Sequence, residues 1–366
     1  MKLIYSKWTD KSLTDEQRLE KLFSLFSYIL IQTNGDVQEA LDWLSQLDER
    51  YSFFDKGLSI QDFIDKLKEK GYIEEDEGMY ILKSKGGMRI RQDAFKEIFQ
   101  NLKKSTDGLH DTAQSGKGVE RNNTTKKYQF GDQPSNIDTT QTLYNAFKRD
   151  GIDRFSLSEE DIEIYETEQQ TTVATVLMLD ISHSMILYGE DRITPAKQVA
   201  LALSELILSK YKKDSLSIVL FGDEAQEVSV SELPFVSVGP YHTNTKAGLE
   251  LSRHLLRRKK NNNKQIFMIT DGKPSAIYES KVNKRLYKNS FGLDPKIINK
   301  TLDEAVACRR EKITITTFMI ADDPYLVRFV QDFTKANNGK AYYSSLNNLG
   351  EQVFVDYLKN KSRFED

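Results

Sequence analysis

The sequence predicts an α/β fold: a doubly wound, mostly parallel sheet with one antiparallel edge strand, preceded by a smaller helical domain. Two observations carry this prediction. Beyond Thr171, apolar runs typical of buried strands alternate with amphipathic helical stretches, the pattern of a parallel sheet covered by helices on both faces. Before Lys103, apolar residues recur at helical spacing instead. A chain of 366 residues is also long enough for more than one domain.

The composition argues against several classes of function. With 52 basic and 55 acidic residues the net charge is -3, which does not favour a strongly basic nucleic-acid binder or a polybasic membrane anchor. A single cysteine, Cys308, offers neither a disulfide within the chain nor a multi-thiolate metal site, and favours a reducing compartment. The first residues lack the apolar run of a secretory signal, and no stretch resembles a transmembrane helix of about 20 residues. We therefore expect a cytoplasmic protein.

Residues 1–102 are expected to form the helical domain. Thr14 followed by Gln17 has the pattern of a capping box, and an apolar stripe at helical spacing follows it. Two further helical stretches follow, and the second of them ends at Gly71. Two short apolar segments then flank an acidic turn at 74–78, which predicts a hairpin. With a last helix at about 92–102, the arrangement resembles a winged-helix domain.

Nucleic-acid binding is one function of winged-helix domains, but this hairpin has an acidic tip where phosphate contact requires Lys or Arg. A protein-interaction or packing role is therefore favoured for this domain, and a nucleic-acid-binding regulatory protein is kept as the alternative. Residues 103–127 are polar and predict a flexible linker. Residues 128–170 regain aromatic and apolar character and predict a connector that packs on the C-terminal domain.

The C-terminal domain, 171–366, contains the alternating elements. The stretch at 225–230 alternates apolar and polar residues and suits the antiparallel edge. Ligands of such sheets gather at the carboxyl ends of the strands. Strands are predicted at 173–179, 216–221, 225–230, 265–270, 313–320 and 341–344, and helices at 193–211, 246–258, 297–312, 325–336 and 350–361.

A cluster of oxygen-bearing side chains follows the first strand of this domain. Asp180, Ser182 and Ser184 are spaced by two, so in an extended or gently turning segment they point to one side. One carboxylate with two hydroxyls is a low-charge oxygen set that suits a hard cation such as Mg²⁺. Thr243 stands just before a later helix, and Asp271 ends the strand predicted to lie beside the first.

This combination resembles the von Willebrand factor type A (vWA) family from Thr171 to about Arg363. The family's metal-ion-dependent adhesion site (MIDAS) has the pattern Asp-x-Ser-x-Ser, then a distant Thr, then a distant Asp. The resemblance implies a Mg²⁺ site, with Mn²⁺ or Ca²⁺ as alternatives, that leaves a position open for a partner's carboxylate; Thr245 is a rival for the Thr. Carried over residue by residue, the ligands are Asp180, Ser182, Ser184, Thr243 and Asp271.

No catalytic residues are assigned. Ser182 and Ser184 are used as ligands, and His183 between them is expected to point away from the metal. Asp223 is expected to be a turn carboxylate, and Asp322-Asp323 to cap the following helix. The sequence contains no phosphate-binding loop with the Gly-rich Lys-Ser/Thr pattern, so any ATP hydrolysis would come from another chain.

A long segment at 275–293 follows Asp271 and is expected to overhang the metal. Its basic and aromatic residues suit an acidic protein surface. The connector from Phe130-Gly131-Asp132 to Arg149 and the stretch from Tyr287 to Asp294 are similar to those of bacterial vWA proteins paired with AAA+ ATPases of the MoxR or magnesium-chelatase type. The favoured interpretation is a metal-dependent adaptor that presents a target to such an ATPase; a surface adhesin is a further alternative. The partner-binding residues predicted in this segment are Lys281, Lys284, Arg285, Tyr287 and Lys288.

Overall fold

The structure is a computed structural model, and its described residues form two compact units. The first unit takes the described part of Met1–Thr106 together with Val173–Asp356, and the second takes that of Asp107–Thr172 with Tyr357–Asp366. The described residues are 14–51, 54, 58–105, 120–129, 132, 134–151, 156–168, 172–271, 273–279, 285–289, 292–320, 324–343 and 349–363.

The N-terminal part of the first unit is helical, as predicted. Capping boxes at Thr14 and Ser59 open two of its helices, and the predicted hairpin is present as two antiparallel strands. Its elements are α1 (Asp15–Gln32), α2 (Val37–Tyr51), α3 (Ile60–Glu69), β1 (Ile73–Asp76), β2 (Met79–Leu82) and α4 (Ser84–Ser105).

Helix α4 starts at Ser84, earlier than the predicted start near 92, and contains two consecutive glycines. A Cβ at Gly86 would come 2.4 Å from the backbone oxygen of Tyr72. The glycine therefore lets the first turn of the helix approach the preceding chain closely, rather than ending the helix.

The second unit contains β3 (Glu120–Lys127), α5 (Thr139–Asp150) and β4 (Glu163–Glu168). Strand β3 pairs with β4 in antiparallel register. Residues 120–127 therefore differ from the predicted flexible linker, because a polar strand can be held by backbone hydrogen bonds to a distant partner without apolar side chains to signal it. The rest of the predicted linker, 103–119, lies largely outside the described residues. Asp138 caps α5, accepting from the N–H groups of Thr140 and Gln141 at 3.0 Å each.

The remaining elements form the predicted α/β fold. The elements are β5 (Val173–Asp180), α6 (Ile193–Lys210), β6 (Ser215–Phe221), β7 (Ala225–Val228), α7 (Thr245–Arg257), β8 (Asn263–Thr270), β9 (Ala276–Tyr278), β10 (Leu286–Lys288), α8 (Pro295–Arg310), β11 (Ile313–Met319), α9 (Pro324–Asn337), β12 (Lys340–Tyr343) and α10 (Leu349–Arg363). The main sheet has the order β12-β11-β8-β5-β6-β7, parallel except for β7, which pairs antiparallel with β6 at the edge.

Strand β5 is the centre of this sheet, and all eight of its residues are buried. The chain runs from β5 to β6 on one side and returns to β8 on the other, so the strand order reverses beside β5. A Cβ at Gly248 in α7 would come 2.5 Å from the methyl carbon of Met178, so glycine permits this helix to lie close to the sheet. The carboxyl ends of β5 and β8 therefore meet at the switch point where such sheets bind ligands.

The helical part packs against the sheet part within the first unit. The buried amine of Lys197 on α6 donates to Asn34 Oδ1 at 2.8 Å and to the backbone oxygen of Val236 at 3.0 Å. The rings of Phe95 and Phe354 lie 6.1 Å apart between their centroids. Among the described helices, none combines the length and apolar character needed to cross a membrane.

Candidate metal centre

Asp180 is the last residue of β5 and is fully buried. One of its carboxylate oxygens accepts the N–H of Ser182 at 2.9 Å, and the other accepts the hydroxyl of Thr270 at 2.6 Å. Thr270 ends the neighbouring strand β8 and did not figure in the sequence prediction. The carboxylate is thus fixed in orientation by its own loop and by the adjacent strand.

The three predicted hydroxyl ligands form a chain of hydrogen bonds that ends on the second carboxylate. Thr243 donates to Ser182 Oγ at 3.0 Å, and the hydroxyls of Ser182 and Ser184 lie 3.1 Å apart. Ser184 donates to Asp271 Oδ1 at 2.7 Å. Together with the contact between Asp180 and Ser182, these bonds bring all five predicted ligands into one cluster.

The Thr243 segment is held by backbone contacts on both sides. The N–H of Asn244 donates to the backbone oxygen of Gly222 at 2.9 Å, and the Asn244 side chain caps α7. Thr245 is the first residue of that helix, so Thr243 is the threonine that reaches the serines. The N–H of Thr243 donates to Ser275 Oγ at 2.9 Å, a contact between distant loops that the sequence did not indicate.

Arg192 is a further member of the site that sequence reasoning missed. Its guanidinium donates to Asp271 Oδ2 at 2.7 Å and to Glu190 at 2.9 Å. Arg192 immediately precedes α6, far from Asp271 in sequence, and no pattern of spacing marks it. Arg192 contacts Oδ2 of Asp271, whereas Ser184 donates to the other carboxylate oxygen, Oδ1.

The charge of the cluster favours a cation. Burial raises the pKa of Asp180 above its usual range, and the nearby charge of Asp271 raises it further. The cluster holds two buried carboxylates, and Arg192 pairs with one of them, Asp271, so the cluster carries excess negative charge when both are ionised. Among the described residues, no group of three or more His, Cys, Asp or Glu could hold a metal. The candidate donors of this cluster are three hydroxyls and two carboxylates. Such a set fits a hard divalent cation and does not suit a soft one.

The neighbours of the cluster are in the positions expected of them. His183 is exposed, and its N–H donates to the backbone oxygen of Tyr241 at 3.1 Å. Asp223 accepts the N–H of His242 at 2.7 Å and so acts as a turn carboxylate. The predicted cap at Asp322-Asp323 lies outside the described residues. Ile186 and Tyr241, each two residues along the chain from Ser184 and Thr243 respectively, are 44% and 42% exposed.

The segment after Asp271 forms a hairpin of β9 and β10. Its base is tied to the site, because the N–H of Ser275 donates to the backbone oxygen of Thr243 at 2.9 Å. Of the predicted partner-binding residues, Arg285 is 83% exposed and Lys288 is exposed, whereas the Tyr287 hydroxyl donates to Asp294 at 2.9 Å. Lys281 and Lys284 lie outside the described residues.

Comparison with protein families gives two matches in this chain. The vWA domain of Rv0959-like proteins matches residues 173–358, and the third domain of the same proteins matches residues 120–167. The chain is 30% identical over 305 residues to the uncharacterized proteins Rv0959 of Mycobacterium tuberculosis and Mb0984 of Mycobacterium bovis. The matched region is 81% of this chain but 44% of each relative, so the chain spans less than half the length of these relatives.

Among solved structures, similar chains include two pilus proteins. The vWF domain of the type V pili tip protein Mfa5 from Porphyromonas gingivalis is 13% identical, with a TM-score of 0.45, over 54% of this chain and 97% of that one. The PilB minor pilin from Streptococcus sanguinis is 16% identical, with a TM-score of 0.40, over 58% of this chain and 66% of that one.

Proposed function

The chain belongs to the Rv0959-like family of vWA-domain proteins, and from that premise we propose that it is a metal-dependent protein-interaction adaptor. Its sheet domain binds one divalent cation, Mg²⁺ in first place, through side chains at the carboxyl ends of β5 and β8 and in the loop before α7. The ligands are Asp180, Ser182, Ser184, Thr243 and Asp271.

The convergence of these five side chains is the observation that carries the proposal. They come from three separate loops, yet hydrogen bonds of 2.7 to 3.1 Å connect them. Hydroxyls predominate, so the set has few anionic ligands. A cation bound here supplies an electrophilic position to which a partner's Glu or Asp carboxylate can bind. Four of the five ligands are buried, and Ser184 is the more exposed one, so a partner would approach on the Ser184 side.

Further features support a protein partner. The exposed Ile186 and Tyr241 offer apolar contact beside the charged centre, as protein interfaces do. The β9–β10 hairpin is tied to the Thr243 loop and carries the exposed cations Arg285 and Lys288. These features suit an acidic partner surface with one carboxylate at its centre.

The partner class that we propose is an AAA+ ATPase of the MoxR or magnesium-chelatase type, or the target of such an ATPase, in the cytoplasm. The support is the similarity in the connector and in the stretch 287–294 noted above. In this role the chain presents a target and carries out no chemistry of its own.

Metal binding is tested by calorimetric titration of the full chain with MgCl₂. We expect saturable binding of one ion by the wild type, and loss of this binding in Asp180→Ala and Asp271→Ala with the circular dichroism spectrum preserved. Asp303→Ala is the matched control, since Asp303 is a 74% exposed carboxylate on α8. Normal Mg²⁺ uptake by both site variants would overturn the ligand assignment.

Partner binding is tested by capture from the native cell with Mg²⁺ and again with EDTA. We expect an AAA+ ATPase or its target to be recovered with Mg²⁺ and not with EDTA. Recovery with Mg²⁺ should fall in the double variant Arg285→Glu, Lys288→Glu. Lys300→Glu, which changes a 57% exposed cation on α8, is the control for charge. Equal recovery in EDTA would exclude a metal-bridged contact, while leaving the titration result to stand by itself.

A further inference from the structure

A cavity of about 260 Å³ lies in the first unit, away from the residues of the metal centre. It is lined by α1, by α4 and by Gln198 of α6. Its volume is several times the share of about 30 Å³ that one molecule has in liquid water, so it has room for a small organic ligand. Ile31 and Ile90 form apolar walls, and both side chains are buried.

Asp93 lines this cavity with a side chain that is 7% exposed. Its Oδ2 atom is fully engaged, accepting from the Ser27 hydroxyl and from Nε of Arg89, each at 2.8 Å. Its Oδ1 atom is buried and accepts no hydrogen bond from any residue that the structure describes. Buried carboxylate oxygens in native proteins have partners as a rule, so this atom indicates a donor that the chain itself does not supply.

Glu97 stands one helical turn after Asp93 and lines the same cavity. Burial raises the pKa of Glu97, and the charge of Asp93 raises it further. Arg89 does not neutralise the pair, because it is shared with Glu20, from which it lies 2.8 Å away. Lys96 also lines the cavity but is exposed. Two carboxyl groups on one face thus lack a full complement of positive charge.

These features select the chemistry of the ligand. A hard divalent cation takes six or more oxygen ligands, and the Arg89 guanidinium on Asp93 would repel it. An ammonium group instead carries one charge and three N–H donors, which suits a pair of carboxyl groups. Tyr28 also lines the cavity, with its hydroxyl accepting from Gln32 Nε2 at 3.1 Å, and the isoleucine walls suit a short aliphatic body.

We propose that this cavity binds a small primary alkylammonium ligand, whose ammonium group donates to Asp93 Oδ1 and to Glu97 while its carbon chain packs on Ile31 and Ile90. The site is independent of the metal centre. Because α1, α4 and α6 all line it, an occupied cavity would tie the helical part of the unit to the sheet part.

The test is calorimetric titration of the full chain with 1-aminobutane, in EDTA and at constant ionic strength. We expect saturable binding of one molecule, and no binding of 1-butanol, which has the same length without charge. Glu97→Gln should weaken binding about tenfold or more, the effect of losing one charge-assisted hydrogen bond. Asp93→Asn should do the same, and Glu97→Gln keeps the test valid should Asp93→Asn fold poorly.

Glu69→Gln is the matched control, because Glu69 is a 69% exposed carboxylate on α3. Its affinity for the amine should equal that of the wild type. Absence of saturation in the wild type, equal binding of the alcohol, or unchanged affinity in Glu97→Gln would each overturn the proposal. Amine binding that survives in Asp180→Ala would show that this site stands whether or not the metal assignment does.

Discussion

Asp180→Asn separates the stability of the metal-free fold from its capacity to bind metal. The substitution keeps the size of the side chain and an oxygen that can accept the Ser182 N–H. It removes a carboxylate charge that is fully buried and lies near Asp271. We expect the variant to be more stable than the wild type in EDTA, and to gain nothing from Mg²⁺.

The magnitude follows from the contacts of this carboxylate. Burying an ion costs several kcal/mol, and a hydrogen bond to a charged group contributes roughly 1.5–3 kcal/mol. Asp180 accepts two such bonds, from Ser182 and Thr270, and its carboxylate neighbour adds repulsion. We therefore expect Asp180→Asn to raise the free energy of unfolding in EDTA by about 1–4 kcal/mol at mildly alkaline pH.

The pH dependence has a definite sign. Because the pKa of Asp180 is raised in the folded protein, the folded state holds a proton that the unfolded state has already released. The contribution of Asp180 to the stability of the metal-free fold is thus present at acid pH and is lost as pH rises through the folded pKa. The advantage of Asp180→Asn over the wild type should accordingly grow with pH.

Thermal unfolding with EDTA and with Mg²⁺ measures both effects. At a free Mg²⁺ concentration of about 100 Kd the wild type should gain roughly 2.7 kcal/mol, which raises Tm by about 3–5 °C. Asp180→Asn should show the higher Tm in EDTA and no response to Mg²⁺, and Asp303→Asn should behave like the wild type. A Mg²⁺ response of wild-type size in Asp180→Asn would refute the reasoning, as would a lower Tm in EDTA.

Three further predictions concern single side chains. Arg192→Gln should tighten Mg²⁺ binding severalfold in calorimetry, because it removes the guanidinium that lies 2.7 Å from Asp271. Weaker Mg²⁺ binding would mean that Arg192 chiefly orients that carboxylate. Burial lowers the pKa of Lys197 to about 8. The free energy of unfolding should therefore increase as pH rises from about 8 towards 10.5, and urea unfolding of Lys197→Met should lack this increase. Burial raises the pKa of the Cys308 thiol to about 12, so iodoacetamide should label it in urea and not in the native protein at mildly alkaline pH.

The residues of the candidate site could be predicted where they lie at the ends of strands that the sequence itself predicts. Asp180 and Asp271 follow buried apolar strands, and the order of a doubly wound sheet places those strand ends together. Thr270 and Arg192 belong to the same site, but their contacts join residues 90 and 79 positions apart. A hydrogen bond between such distant side chains has no local pattern from which it can be predicted.

Local rules also failed where backbone contacts decide the outcome. Strand β3 is polar throughout and was therefore expected to belong to a linker. It is a strand because it pairs with β4, and the backbone hydrogen bonds of this pairing need no apolar side chains in β3. The last helix of the helical domain was expected to begin near 92, but α4 begins at Ser84 and includes Gly86, where a Cβ would come 2.4 Å from the backbone oxygen of Tyr72. Both errors come from neighbours that are close in space.

By itself, the sequence determined the strands of the six-stranded sheet and the helices between them, because the burial of an apolar face imposes a period that can be read along the chain. It also determined the capping box at Thr14, since a cap needs two residues three apart. The tertiary structure alone decided that Arg192 neutralises Asp271 and that Asp93 and Glu97 line a cavity with α6. Charges and cavities of this kind arise where separate elements pack, and their energies depend on distances that only packing sets.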